Sequence, residues 1–188
     1  LVSSSAASDV YKRQLLDSGS KKFVAQWGEE TSFDALLLWW LGYANFFERE
    51  DKAAEAAFTK AVAKWPAYVD SWYYIGIMRH RGGDSFGAID AFRKNWEANP
   101  ENLVANINSN GDVNLAYLGD IIAKCAAERR NGDAAFLCEI RVGARPEWWL
   151  YWNDLGLFCR DHGDDLRRRG KEEDAEEISR LYERALVA

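Results

Sequence analysis

The sequence predicts an all-α protein in which pairs of helices repeat along the chain. Its apolar residues recur at helical spacing, and several landmark residues recur at one interval of 34 positions. Proline is rare, with 3 in 188 residues, and none of the three lies inside a predicted helix. Because 48% of the residues are hydrophobic, the chain can bury a core, and this composition excludes a wholly disordered protein.

The repeat is carried by identical residues 34 positions apart. The matched pairs are Gly42 and Gly76, Ala54 and Ala88, Phe58 and Phe92, and Pro66 and Pro100. Pro146 lies 46 positions after Pro100, which is 34 plus 12, and Gly156 lies 80 after Gly76, which is twice 34 plus 12. We therefore predict an insertion of about 12 residues, which we assign to residues 101–112.

Each period predicts two helices. Residues 35–50 and 53–64 place their apolar side chains at helical rather than alternating spacing. Glycine and alanine recur where the two helices of a pair come closest, because larger side chains would separate the backbones. The third period is irregular: its turn signal, residues 131–133, lies three positions later than in the second period. Its register is therefore open by about one helical turn.

These residues resemble the tetratricopeptide repeat family, whose pattern is W-x2-L-G-x2-Y, then A-x3-F, then P, over 34 residues. The second period matches with Trp72-x2-Ile75-Gly76, Ala88-x3-Phe92 and Pro100, the first with Leu38-x2-Leu41-Gly42, Ala54-x3-Phe58 and Pro66, and the last with Trp152-x2-Leu155-Gly156. The resemblance implies a right-handed superhelical solenoid of antiparallel helix pairs. About four repeats would span residues 35–68, 69–102, 115–148 and 149–188, the third and fourth irregular. The first helices would line a concave groove that binds peptides or partner proteins.

Residues 1–33 stand apart from the predicted repeats, which occupy residues 34–188. Residues 1–14 lack an initiator Met and the apolar block of a signal peptide, and they resemble translated adaptor sequence, so we expect a non-native leader. Residues 15–33 are predicted to contribute part of a preceding helix. No proline or capping helix follows the last repeat, so we expect the chain to be a fragment of a longer array.

Composition disfavours several classes of partner. The net charge is −6, with 24 basic against 30 acidic residues, which argues against nucleic acid. The longest apolar run, residues 35–44, is half of the roughly 20 residues that span a bilayer, so no membrane partner is expected. The odd count of three cysteines does not fit a disulfide framework and weakly favours a reducing, cytoplasmic location.

The repeat pattern also predicts which side chains face the groove. In the first repeat they are Trp39, Tyr43 and Phe46, at i, i+4 and i+7. The matching positions are Tyr73, Ile77 and His80 in the second repeat, Gly119, Ala123 and Ala126 in the third, and Asn153, Leu157 and Arg160 in the fourth. The alternative is that a preceding repeat, or residues 15–33, covers the aromatic stripe of the first repeat.

Four other features of the sequence were considered as binding sites. The family's clamp for a peptide carboxylate uses Lys, Arg and Asn, but the matching positions here are Trp39, Tyr43, Tyr74, Ala116 and Asp120. The asparagine-rich insertion predicts either a ligand-binding loop or a plain connector. Cys159 and His162 have metal-ligand spacing, but no second pair completes a site. Residues 167–169 are three arginines that form either a basic docking site or a solvated helix face.

These observations predict a non-enzymatic scaffold that binds a protein or peptide through apolar anchors, without cofactor or metal. No triad, phosphate loop or paired carboxylates suggest catalysis within the chain. The alternative is the helical scaffold region of a larger enzyme, a transferase or peptidase whose catalytic domain lies outside these residues. End-to-end association of copies is a structural alternative.

Overall fold

The computed structural model describes residues 33–66 and 68–188, with side chains from residue 35 onward. These residues form α-helices and one 3₁₀ turn, without a β-strand among them, so the all-α prediction is confirmed. The helices are α1 (Phe33–Phe47), α2 (Asp51–Lys64), α3 (Asp70–Arg81), α4 (Ser85–Ala98), α5 (Pro100–Ser109), α6 (Gly111–Ala127), α7 (Asn131–Ala144), α8 (Trp149–Arg169) and α9 (Ala175–Val187). None of the described helices is long and apolar enough to cross a bilayer.

The chain divides into two compact units, one ending at Ala98 and the other running from Asn99 to Ala188. In the N-terminal unit α1 packs on α2, α2 on α3, and α3 on α4. In the C-terminal unit α5 packs on α6 and α7, and α7 and α8 link α6 to α9. Each helix therefore buries its apolar face mainly against its neighbours in sequence.

Three turns between helices share one geometry. Arg49, Gly83 and Arg129 each adopt a left-handed backbone, with φ of 63°, 91° and 57°. The amide of the next residue donates to the carbonyl five residues back, as in Glu50 to Asn45 at 3.0 Å and in Arg130 to Cys125 at 2.8 Å. This bond is typical of a Schellman helix ending.

The spacing of these turns agrees with the predicted period. Arg49, Gly83 and Arg129 are separated by 34 and 46 positions, the latter being 34 plus 12. Residues 131–133 are the first turn of α7, so the prediction of a late turn there is wrong. The misleading signal was Asn-Gly-Asp, whereas the left-handed position is taken by a non-glycine residue, Arg129.

The insertion forms a helix rather than a loop or plain connector. In α5, Pro100 occupies the first turn and the Asn99 side chain accepts a hydrogen bond from the Asn102 amide at 3.0 Å. Leu103 and Ile107, at i and i+4, are buried. The insertion therefore adds an element to the core of the C-terminal unit.

The helix pairs are held together by a ring packed on a glycine. A Cβ atom on Gly42 would lie 2.9 Å from the ring of Phe58, and one on Gly76 would lie even closer to the ring of Phe92. At the matching positions of the third period, 46 residues further on, Ile122 and Cys138 are both buried. In the third period the larger residue, Ile122, is on the first helix of the pair, whereas in the second period the larger residue, Phe92, is on the second helix. The combined side-chain volume of the two positions stays similar.

Candidate partner-binding site

The predicted aromatic stripe of α1 converges on one residue of α3. The ring centroids of Trp39, Tyr43 and Phe46 lie 6.1, 5.6 and 5.2 Å from that of Tyr74. Phe58 of α2 stacks on the same ring at 4.9 Å and 6°. Burial raises the pKa of the Tyr74 hydroxyl. The stripe is therefore half-covered by α3. The sequence predicted either an open groove or a cover supplied by residues before α1, and not a cover supplied by α3.

The predicted cover by residues 15–33 stays a prediction. Residues 1–32, which include the predicted leader, lie outside the described residues, and Phe33 already begins α1. Trp40 and Phe47, whose ring centroids lie 5.9 and 4.6 Å from that of Tyr43 in the stripe, are about half exposed in the structure.

The second and third repeats contribute little accessible apolar surface at the predicted positions. Tyr73 and Ile77 are 5% and 2% exposed, so neither side chain is available to a partner in this structure. His80 is half-buried, with its Nδ1 atom 3.4 Å from the hydroxyl oxygen of Ser85. At the third-repeat positions, Ala123 and Ala126 are exposed and Gly119 is half-buried. Their small side chains form a surface without anchors.

The fourth-repeat positions lie together and open to solvent. Asn153, Leu157 and Arg160 of α8 are exposed, Leu157 by 42%. They line a groove of about 790 Å³ between residues 149–160 of α8 and residues 182–188, which are the end of α9 and the residue that follows it. We call this surface the α8/α9 groove.

Two glycines let α9 approach α8 closely. A Cβ atom on Gly156 would lie 3.3 Å from the Ala185 carbonyl oxygen, and one on Gly163 would lie 3.3 Å from the ring of Tyr182. The Tyr182 hydroxyl donates a hydrogen bond to a carboxylate oxygen of Asp164 at 2.6 Å. These contacts fix the two walls of the groove relative to each other.

The walls carry large apolar side chains that sequence reasoning missed. Trp149 is 75% exposed, and Leu186 of α9 is 87% exposed. Trp149 lies four and eight residues before Asn153 and Leu157, so the helical spacing used for the stripe would have identified it. Exposed apolar residues gathered on one surface are typical of interaction sites.

The charged side chains lining the groove are basic. They are Arg160 and Arg184, and no acidic side chain is among the described residues that line it. Arg160 pairs with its neighbour Asp161 at 2.7 Å, in a solvent-exposed contact that contributes little to stability. The Arg184 guanidinium lies 5.4 Å from the Trp152 ring centroid and 3.7 Å from a Glu139 carboxylate oxygen. Both arginines therefore already lie beside a carboxylate.

The asparagines of the insertion serve the local structure. Asn106 donates to the Asn102 carbonyl oxygen at 3.1 Å, and Asn108 accepts a hydrogen bond from Arg145. Asn114 of α6 donates to the Ile107 carbonyl oxygen at 3.0 Å. The Asn106 bond lies within α5, whereas those of Asn108 and Asn114 connect α5 to other segments, so these amides have structural partners.

The three cysteine thiols of the C-terminal unit are buried. Cys125, Cys138 and Cys159 are buried and free. Burial raises the pKa of Cys138 to about 12 and that of Cys159 to about 11, so both are protonated thiols at neutral pH. Within the described residues, no three Cys, His, Asp or Glu side chains are grouped to hold a metal. His162 packs against Gly132, and a Cβ there would lie 2.8 Å from its ring.

The arginines of residues 167–169 lie at the end of α8. Arg168 pairs with Asp165 one turn earlier, and Arg167, Arg168 and Arg169 are all exposed. The pairing is typical of a solvated helix face.

No family model matches the chain, and no curated protein is significantly similar to it. The resemblance to tetratricopeptide repeats therefore depends on the sequence pattern. The helix boundaries and the positions of the turns agree with that pattern. The candidate site depends on the geometry of the α8/α9 groove.

Proposed function

We propose that this protein is a tetratricopeptide-like solenoid of antiparallel helix pairs and that it acts as a non-enzymatic scaffold for a partner protein. The recurrence of the Arg49, Gly83 and Arg129 turns at 34 and 34 plus 12 positions supports the repeat. The packing of Phe58 on Gly42 and of Phe92 on Gly76 supports equivalent helix pairs. Such arrays use extended surfaces to bind other proteins.

The exposure of the α8/α9 groove carries the proposal. Leu157, Trp149 and Leu186 supply apolar contact area, and Arg160 and Asn153 supply a polar rim. An apolar centre with a polar edge is the usual anatomy of a protein interface. The partner segment binds here rather than on the α1 stripe, because Tyr74 half-covers that stripe.

The test uses peptides selected for binding from a random 16-residue display library. We expect Leu157→Asp to weaken the binding of selected peptides at least tenfold, because a charge would replace an apolar anchor at the centre of the groove. Titration calorimetry measures the affinity, and thermal unfolding verifies that the variant is folded.

Trp40→Ala is the matched control. Trp40 is also an exposed large side chain on a first helix, but it lies in the N-terminal unit, away from the groove residues of α8 and α9 in sequence. Its replacement should leave peptide affinity unchanged. Selected peptides that bind the Leu157→Asp variant as tightly as the original protein would contradict the proposal.

A further inference from the structure

Two identical tripeptides, Asn-Gly-Asp, occupy different places in the C-terminal unit. One is residues 110–112, at the join between α5 and α6, and the other is residues 131–133, at the start of α7. An asparagine that precedes glycine is prone to lose its side-chain amide, because glycine has no side chain to hinder attack by its own nitrogen. Since the tripeptides are identical, a difference in their reactivity would come from their surroundings in the fold.

Asn110 lies between two helices, and its side chain is exposed. Its backbone has φ of −138° and ψ of 54°, and within the described part of the chain its side chain makes no capping hydrogen bond to α6. Gly111 is the first residue of α6, where a helix leaves the backbone N–H without an intrahelical acceptor. The Asn114 amide donates to the Asn110 carbonyl oxygen at 3.0 Å. Rotation of Asn110 toward Gly111 therefore opens the first bond of α6 and leaves the rest of the helix in place.

Asn131 is held much more firmly. It is the first residue of α7, and its half-buried side chain donates to a carboxylate oxygen of Asp165 of α8 at 2.7 Å. His162 of α8 packs against the next residue, Gly132, where a Cβ atom would lie 2.8 Å from the histidine ring. Bringing the Asn131 side chain to the Gly132 nitrogen would break the bond to Asp165 and unwind the first turn of α7 against α8.

We propose that Asn110 is a site of spontaneous deamidation in the folded protein and that the fold protects Asn131. The Gly111 nitrogen loses its proton and bonds to Cγ of Asn110, the bond from Cγ to Nδ2 breaks, and the amide group leaves with that proton as ammonia. A Cβ atom on Gly111 would touch the guanidinium of Arg145, and a positive charge so close favours loss of the Gly111 proton.

Water then opens the cyclic imide in one of two ways. Attack at Cγ yields aspartate, and attack at the main-chain carbonyl carbon yields isoaspartate, in which the main chain runs through Cγ. The two steps consume one water, release one ammonia and need no oxidant or reductant.

The two products should affect the join between α5 and α6 in opposite ways. Isoaspartate adds a carbon to the main chain and moves the carbonyl group that accepts from the Asn114 amide. Because the Asn114 side chain also donates to the Ile107 carbonyl oxygen at 3.0 Å, a shift at the start of α6 disturbs its contact with α5. Aspartate keeps the main chain and adds a carboxylate at the N-terminus of α6, where it is favourable.

The test is incubation of the whole folded protein in mildly alkaline buffer. Peptide mass spectrometry with electron-transfer fragmentation measures both sites and distinguishes isoaspartate from aspartate. We expect Asn110 to react at least about tenfold faster than Asn131, because reaction of Asn131 requires local opening of α7. In protein unfolded by urea, the two asparagines should react at similar rates, which controls for the sequences around them. Similar rates in the folded protein, or a rate at Asn110 that rises on unfolding as strongly as that at Asn131, would overturn the proposal.

Two variants of Asn110 sharpen the test. Asn110→Gln should remove the acidic species that ion exchange detects in aged protein, because the longer side chain forms the larger ring slowly, and undiminished formation of that species would count against Asn110 as its source. The purified isoaspartate form should melt at a lower temperature than Asn110→Asp, which has the same charge and an ordinary main chain. Equal melting temperatures would contradict the expected effect on the join between α5 and α6.

Discussion

The helices α1 and α8 occupy equivalent places in the proposed repeat but have different surroundings. In α1 the stripe of Trp39, Tyr43 and Phe46 surrounds a tyrosine of the next helix pair. In α8 the matching residues are smaller or more polar, and they are exposed beside the end of α9. The position of a residue within its helix therefore sets the direction of its side chain, whereas the packing of other helices sets its exposure.

The two units also differ in how their helix pairs are filled. The N-terminal unit packs a phenylalanine on a glycine in both pairs, whereas the third period uses Ile122 and Cys138 at those positions. The side-chain volume at these two positions is therefore divided differently between the two helices of a pair in the two units. The variants below test this difference, beginning with the largest expected change in stability.

Removing the large ring should have the greatest effect. Phe92→Ala should lower the free energy of unfolding by about 3–5 kcal/mol, because a fully buried ring leaves a cavity against Gly76. Cys138→Ala, at the equivalent position of the third period, should cost about 1 kcal/mol, because it removes one atom. Urea denaturation followed by circular dichroism measures both, and equal losses would show that the two positions are not packed differently.

Adding one methyl group should distinguish a crowded glycine from an open one. Gly76→Ala should destabilise by about 1–2 kcal/mol, because crowding against Phe92 outweighs the better helix propensity of alanine. Gly119 of α6 is the control, since a Cβ atom there would have no neighbour within 4 Å. Gly119→Ala should stabilise by about 0.5–1 kcal/mol. Chemical denaturation of both variants gives the signs, and stabilisation by Gly76→Ala would contradict the close approach of α3 and α4.

The smallest expected effect is a pH dependence confined to the C-terminal unit. Burial lowers the pKa of His162, while Glu177 of α9, and Asp165 and Asp133, oppose that shift and Arg169 adds to it. As pH falls through about 6.5, the unfolded chain binds a proton before the folded protein does, so stability decreases. In His162→Gln this contribution is lost.

The loss of melting temperature between about pH 7.5 and 5.5 should therefore be smaller in the His162→Gln variant than in the original protein. Differential scanning calorimetry at the two pH values measures it. An equal loss in both proteins would show that His162 does not titrate differently in the folded state.

Much of the helical organisation could be predicted because it is encoded locally. The spacing of Gly42 and Gly76, and of Phe58 and Phe92, indicates helix pairs in the sequence alone. The helix at residues 100–109 was not predicted, because asparagines and a proline are typical of turns. Burial of Leu103 and Ile107 favours α5, and that burial depends on neighbours distant in sequence.

The candidate site was predictable only in part. Asn153, Leu157 and Arg160 followed from the repeat, but so did Tyr73 and Ile77, which are buried. Trp149 was missed although it lies on the same helical face. The repeat pattern does not indicate which of these predicted positions are buried, because their burial depends on side chains of other helices.

The sequence by itself determined the all-α class and the helical face on which each candidate residue lies, because these follow from periodicity within a single helix. The tertiary structure decided that Tyr74 half-covers the α1 stripe and that Leu157 is exposed beside α9. It also decided that Arg129 adopts the left-handed turn that keeps the third period in register. The physical reason is that exposure, and strain at one backbone position, depend on the packing of whole helices and not on the residues that occupy the position.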